Sequence, residues 1–342
     1  MYVSMSEPIN KRPTMADIAH IAGVSPMTVS RAFKNDRSVN EKTRDTVIRA
    51  AHKLGYVFNA TASSLRMQKT DFIAAIIPSL NNANFSDTIS GLSATLSPRG
   101  IQALLGYTNY NIEEEERLIE QLLRRRPLAI VVTGRKHTKR ATELLQNADI
   151  PVVEMWDCPA RPIGYYVGFS NAQAIESLVS HFHEAGYRRI AFLGGDSVGD
   201  RRGHDRRQGF IKAMKACGLD GSWLIDMGDP PIDMEDGARA MARLLLDYPN
   251  ADAVVCVSDL CAFGAMTECQ RRGIEVGRQI AIAGFGNYEI SNICIPRLTT
   301  IDVQARGIGE LTGQMLLDLF DQKPNVQNIR IKPRLMIRET SR

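Results

Sequence analysis

Cysteine is scarce and unpatterned in this 342-residue chain: Cys158, Cys217, Cys256, Cys261, Cys269 and Cys294 form no C-x-x-C pair. That spacing excludes a zinc site and a disulfide framework, so the six read as reduced core residues. Long apolar runs are also missing. None approaches the ~20 residues needed to cross a bilayer, and Met1 to Lys11 lacks the apolar stretch of a signal peptide. A cytoplasmic protein without membrane contact is expected. Charge of one sign is nearly balanced, at a formal +4, and composition alone therefore does not point to nucleic acid. The loops that carry common chemistries are absent too: no G-x-S-x-G, no Walker loop and no G-x-G-x-x-G after the first strand. His181 and His183 stand two apart on an expected helix and cannot share a face, which argues against a metal site. An enzyme and a cofactor are not expected.

The chain does have material for sizeable cores, with 44% hydrophobic residues over 342 positions, and its length implies two or three compact units. After a polar tail, residues 13–58 read as a compact helical headpiece broken at Gly23 and at the polar run Lys34 to Ser38. Thr14 followed by Asp17 suits a helix start, and Ile18, Ala19 and Ala22 set an apolar stripe. Gly23 ends that helix. Ser25 then caps a second one, with Pro26 at its first position, where the missing N–H costs nothing. The spacing of Ile18, Ala19, Gly23, Val29 and Ala32 is that of a tight helix-turn-helix. A third helix, Glu41 to Leu54, is expected to close the core through Val47, Ile48, Ala51 and Leu54. Pro26, Met27, Ser30 and Arg31 then face outward. Arg31 suits guanine in a major groove, while Thr14, Ser25, Thr28, Asn40 and Thr43 suit phosphates at helix N-termini, so double-stranded DNA is the expected partner.

Residues 59–69 are small and polar and read as a linker that becomes helical when bound. From residue 70 to 342 apolar strands alternate with amphipathic helices. Strands are expected over 72–78, 101–106, 128–133, 151–155, 189–194, 224–227, 253–257 and 280–285. Such alternation implies parallel sheets covered by helices, either one closed barrel or two doubly wound lobes. Between the second and third strands, the acids Glu113 to Glu116 open a helix and Arg124 to Arg126 close it, as the helix dipole prefers, and this charge run reads as a solvated face.

The run TMADIAHIAGVSPMTVSRAF from Thr14, with VNEKTR from Val39 and LGYVFN from Leu54, closely resembles the lactose-repressor family of transcription regulators. The resemblance continues through GYRRIAFLGG from Gly186, Ser258-Asp259, AGF from Ala283 and PRLTTI from Pro296, and so covers nearly the whole chain. Within that family, VGFSN from Val167, VTGRKHT from Val132 and FGAMTECQR from Phe263 look most like the gluconate-operon repressor branch. The resemblance implies a homodimeric regulator whose effector domain has two Rossmann-like lobes of the periplasmic-binding-protein type, not a barrel. The implied N-lobe is about 70–171 and 299–323, and the C-lobe about 172–298 and 324–342. It also implies that 59–69 is a hinge helix, with Leu65 the leucine levered into the minor groove. Tyr56, Asn59 and Ala62 complete the expected DNA-facing set. Phe58 stands where the family usually has proline, and Ala60 lacks a basic side chain seen in some members.

Ligands of open α/β lobes bind beyond the carboxyl ends of strands, and several loops there are basic: Arg135, Lys136 and His137 in one, Arg201, Arg202, His204, Arg206 and Arg207 in another. A sugar acid needs a cation, ideally the fork of arginine. By family position Arg202, Arg206 and Phe85 are expected to touch the effector, with Arg135 and His137 beside the cleft. Ser79, Glu154, Asp157, Ser258, Asp259 and Asn287 complete the expected effector set. Ser170 and Gly286 replace acidic effector residues frequent in the family, which removes negative charge. The resulting expectation is a repressor of sugar-acid genes released from its operator by gluconate or a related acid. A neutral-sugar regulator or a corepressor-dependent one is the alternative, and the attached headpiece argues against a solute-binding protein.

Overall fold

The computed structural model describes residues 13–34, 36–56, 70–196 and 200–341 and divides the chain into two units, Met1–Lys69 and Thr70–Arg342. The expected hinge contacts Asn59, Ala62 and Leu65, with Phe58 and Ala60, lie outside the described residues.

In the first unit the described residues form α1 (Met15–Ala22), α2 (Pro26–Phe33) and α3 (Glu41–Leu54). Each starts on a cap that the sequence announces. Thr14 and Asp17 form a capping box, the Ser25 hydroxyl accepts from the Thr28 N–H at 3.1 Å, and the Asn40 side-chain amide oxygen accepts from the Thr43 N–H at 2.8 Å. Gly23, at φ 66°, ends α1 in the left-handed region. Ile18, Ala19, Val29, Ala32, Val39, Val47, Ala50 and Ala51 make the core, with Leu54 and Tyr56 packed on it. Ile48 is a correction: it lies half-buried off this cluster, and Ala50 takes the inner position. A helical stripe runs 47, 50, 51, 54 at 3.6 residues per turn, and position 48 lies a quarter turn off it.

The second unit has two parallel sheets. The first is ordered β11-β5-β4-β3-β1-β2, from β1 (Phe72–Ile77), β2 (Gln102–Tyr107), β3 (Ile130–Thr133), β4 (Val152–Met155), β5 (Tyr165–Gly168) and β11 (Ile329–Arg330). The other is ordered β7-β6-β8-β9, from β6 (Ile190–Leu193), β7 (Leu224–Ile225), β8 (Ala253–Cys256) and β9 (Ala281–Ala283). A short antiparallel pair, β10 (Thr300–Asp302) with β12 (Arg334–Met336), carries the chain between the lobes. Both faces of the first sheet are covered, which is why β1 reads as an unbroken apolar run. Its Ile73, Ala75 and Ile77 enter one core and its Ala74 and Ile76 the other.

The helices of the first lobe are α4 (Ala83–Leu96), α5 (Ile112–Leu123), α6 (Lys139–Gln146) and α12 (Ala305–Phe320). Those of the second are α7 (Asn171–Glu184), α8 (Arg201–Ala216), α9 (Met234–Asp247), α10 (Asp259–Arg271) and the short α11 (Glu289–Ile293). Among the described residues no helix is long and apolar enough to cross a membrane.

Two expectations change. The first lobe does not end at 323: Ile329 and Arg330 pair in parallel with Val167 and Gly168 of β5, so the chain leaves that sheet only after Arg330. The short strands β5, β10, β11 and β12 were also absent from the expected set. Equally short strands such as β3, β6 and β8 are buried throughout and read as apolar runs, whereas these four are partly exposed and show none.

Sheet order decides where a ligand fits. In the first sheet it reverses between β1 and β3, and in the second between β6 and β8, so a crevice opens beyond the carboxyl ends of these strands in each lobe.

Helices α4 and α12 pack backbone to backbone in the first lobe, where Gly309 faces the Thr88 carbonyl and Gly91 faces that of Arg306. A side chain at 309 has no room. Gly309→Leu is expected to destabilise the second unit by ~2 kcal/mol or more and to lower its thermal midpoint by roughly 5 °C in calorimetry. An unchanged midpoint would show that the two helices do not approach this closely.

Candidate functional site

On the headpiece, α2 offers the exposed face. Pro26 and Arg31 are exposed and Met27 is 63% exposed, while Thr28 and Ser30 are half-buried beside them. Arg31 makes no ion pair among the described residues, so its guanidinium is available to an outside acceptor. The side-chain oxygens of Thr14, Ser25 and Asn40 are engaged as helix caps, and Ser25 also shares a hydrogen bond with Thr28 at 3.0 Å. What these positions, with Thr43, offer an anion is the positive end of a helix more than a free hydroxyl. Tyr56 packs against the core, its ring 6.2 Å from that of Phe33, and holds the end of α3.

In the second unit two neighbouring cavities meet at Tyr110 and Arg202. The larger, about 140 Å³, lies over the carboxyl ends of β1 and β3 and is walled by Ile77, Thr108, Thr133, Arg135 and Asp157, among others. The smaller, about 60 Å³, lies between the lobes. Asn82, Phe85, Trp156, Arg206, Ser258 and Tyr288 help to enclose it, and Asp200 is the one carboxylate lining it among the described residues.

Helix α8 sorts the basic loop of the sequence into two groups. Arg202 and Arg206, four apart, share the face that meets the cavity. Their neighbours are neutralised by acids: Arg201 pairs with Asp205 at 3.2 Å, while His204 and Arg207 pair with Asp196 at 2.6 and 3.7 Å. Arg135, from the first lobe, reaches Asp157 at 3.3 Å and, across the cleft, Asp205 at 2.6 Å. Arg206 is held by polar but uncharged partners, donating from Nε to Asn171 at 3.0 Å and from Nη1 to the Val257 carbonyl at 2.6 Å. Its guanidinium stacks on Phe285 at 4.1 Å, and burial lowers its pKa. Arg202 is only 8% exposed and sits over the Phe85 ring at 5.5 Å. It makes no hydrogen bond or ion pair among the described residues.

Phe85, Arg202, Arg206, Ser258, Arg135 and Asp157 therefore come together at the cleft as expected positions. Ser79, His137, Glu154, Asp259 and Asn287 line neither cavity and support its walls instead. The Ser79 hydroxyl accepts from the Asn81 N–H at 3.1 Å and shapes the loop after β1. His137 is buried between Glu115, 2.8 Å from Nδ1, and Glu154, 3.8 Å from Nε2. Burial opposes its charge, but the two carboxylates outweigh that and raise its pKa to about 9. Glu115 is thus a buried partner, not part of a solvated charge run; its neighbours follow the expected pattern, Glu113 being exposed and Glu114 and Glu116 pairing at the surface with Arg117 and Arg140. Asp259 is wholly buried and accepts from the Tyr288 N–H at 2.7 Å and the Thr300 hydroxyl at 2.5 Å. Burial raises its pKa to about 6, against the pull of those donors. Asn287 accepts from Arg338 at 2.7 Å.

Gly286 and Ser170 have structural reasons besides charge. A side chain at 286 would overlap the Tyr288 ring, and the backbone there has φ 127°. That ring carries its hydroxyl across the cleft to donate to Asn82 at 2.8 Å, and burial raises its pKa. Ser170 caps α7. Tyr110, Trp156, Asn82, Asp200 and Tyr288 were not in the expected set. Tyr110 follows β2, and the carboxyl-end rule applied to that strand as to the others finds it.

Comparisons with known proteins agree with this architecture. Residues 14–59 match the model of bacterial regulatory proteins of the lacI family, and residues 179–341 that of a periplasmic binding protein-like domain. The HTH-type transcriptional regulator GntR of Pseudomonas aeruginosa is 35% identical over 91% of this chain and 90% of its own length. A LacI family transcriptional regulator from Silicibacter pomeroyi is 41% identical, covering 79% of this chain and 98% of its own, with a TM-score of 0.75. A second Silicibacter pomeroyi regulator of that family superimposes over 96% of this chain and 100% of its own, at 30% identity and a TM-score of 0.89. With a helix-turn-helix headpiece joined to a two-lobed periplasmic-binding-protein-like domain, the chain belongs to the lacI family of DNA-binding transcriptional regulators, which are not enzymes.

Proposed function

We propose that this regulator is a homodimeric cytoplasmic repressor of sugar-acid catabolism or uptake genes, released from its operator by gluconate or a related aldonic or ketoaldonic acid. The observation that carries the effector class is Arg202, a buried guanidinium with no hydrogen bond or ion pair from the described chain, beside Arg206, whose hydrogen-bond partners are all neutral. Burying an unpaired charge is costly, and a carboxylate that accepts both arms of the fork removes the cost. Asp200 and Asn82 on the same cavity favour hydroxyls, which a neutral sugar also has; a polyhydroxy acid satisfies both groups. The likeness to the regulator named GntR supports the same reading.

Release follows from differential affinity. Arg135–Asp205 and Tyr288–Asn82 bridge the lobes. A ligand that binds one lobe arrangement more tightly shifts the population toward it, and the headpieces of the dimer lose the spacing that fits the operator.

Calorimetric titration with gluconate, 2-ketogluconate and neutral sugars is expected to give heat with an acid, and Arg202→Ala to weaken that binding roughly 10- to 150-fold. Heat with a neutral sugar and none with any acid would sink the carboxylate reading. In mobility-shift assays on the promoter beside the protein's own gene, Arg31→Ala is expected to lose ~1–3 kcal/mol and relax base preference. Loss by the same factor on every sequence would make Arg31 a phosphate contact instead.

A further inference from the structure

Trp156 directly follows β4 on the wall of the smaller cavity and carries two unfavourable features at once. Its backbone is left-handed, at φ 71°, which a bulky residue rarely adopts. It is 3% exposed, and its indole Nε1 has no hydrogen-bond partner among the described residues. A buried donor left unpaired opposes folding, and strain of this kind persists where the surroundings impose it at a functional site.

The surroundings do impose it. The Trp156 N–H donates to the Val167 carbonyl at 3.1 Å, and its carbonyl accepts from the Asn171 amide at 3.4 Å. The ring is gripped edge-on by Phe85 at 5.1 Å and Phe169 at 6.0 Å. Asn171 accepts with its oxygen from Arg206, so one side chain sets both the indole and the cation of the cleft. Phenylalanine would fill an apolar slot without an orphan donor. The indole is useful only where its N–H meets an acceptor.

We infer that Trp156 is a specificity-determining residue of the cleft, donating its indole N–H to an oxygen of the bound polyhydroxy acid whose carboxylate lies at Arg202 and Arg206. This rests on the sugar-acid reading. It gives the cleft a neutral donor that selects for an oxygen beside the anion, so that charge alone does not suffice.

The chain has two tryptophans, and Trp223 is stacked on Tyr248 at 4.9 Å, outside both cavities. Trp223→Phe therefore leaves Trp156 as the sole reporter. Gluconate is expected to change the emission of that variant with the Kd that calorimetry gives for the wild type. Trp156→Phe is expected to weaken gluconate roughly five- to tenfold while its thermal midpoint stays level or rises, because an orphan donor has gone. Unchanged affinity in Trp156→Phe, or unchanged emission in Trp223→Phe at saturating gluconate, overturns the inference. So does a Trp156→Phe protein that loses affinity and midpoint together, which assigns the ring to packing. If the wild type binds neither gluconate nor 2-ketogluconate, the sugar-acid reading itself falls and the inference with it.

Discussion

A guanidinium taken out of water needs an anion, and the second unit withholds one from Arg202. Most of the acids near it are engaged by other cations. Asp205 is taken by Arg135 and Arg201, Asp196 by His204 and Arg207, and Asp157 faces Arg135. Asp205, Asp196 and Asp157 are engaged by the other cations, Asp200 lines the cavity without forming an ion pair with a described residue, and the aromatic rings of Phe85 and Phe285 give the cleft arginines apolar support without charge. The cleft is thereby electrostatically incomplete, which is the condition for a ligand to bind by completing it.

The walls have the opposite character. Asp259 ties the start of α10 to Tyr288 and to Thr300 of the crossover strand, and His137 locks Glu115 of α5 to Glu154 of β4. These buried polar clusters hold the loops of different elements in one register, although His137 Nε2 faces Glu154 at 3.8 Å without a hydrogen bond. A shift of one lobe against the other moves the contacts that cross the cleft, Arg135–Asp205 and Tyr288–Asn82, and leaves the walls whole. That division between rigid walls and breakable bridges is what a two-state domain requires.

Much was legible in the sequence where the signal is local. The capped starts at Thr14, Ser25 and Asn40, the turn at Gly23 and the apolar stripe of the headpiece depend on neighbours within four residues. The longer strands appear because both their faces are buried. Arg202, Arg206 and Phe85 were found by family pattern, and the structure brings them to one cavity. Ile48, β11 and the roles of Asp259, Asn287, Ser79, Glu154 and His137 were not legible in this way.

The amino-acid sequence by itself determined the helix-turn-helix, the strand–helix alternation of the second unit and the loops from which its cleft is made, because caps, turns and periodicity act over a few residues; two lobes in place of a barrel followed only from the family resemblance and are seen in the two sheets. Only the tertiary structure decided which charges are spent and which are free. Arg201 and Arg202 are adjacent in sequence, yet one pairs with Asp205 and the other forms no ion pair or hydrogen bond among the described residues. The Arg201 pair lies one helical turn apart and is local, but the contacts that build the cleft around Arg202 join residues far apart in the chain, as Asp205 joins Arg135 and Asn82 joins Tyr288. Such pairings follow from how two sheets face each other, and no local pattern records them.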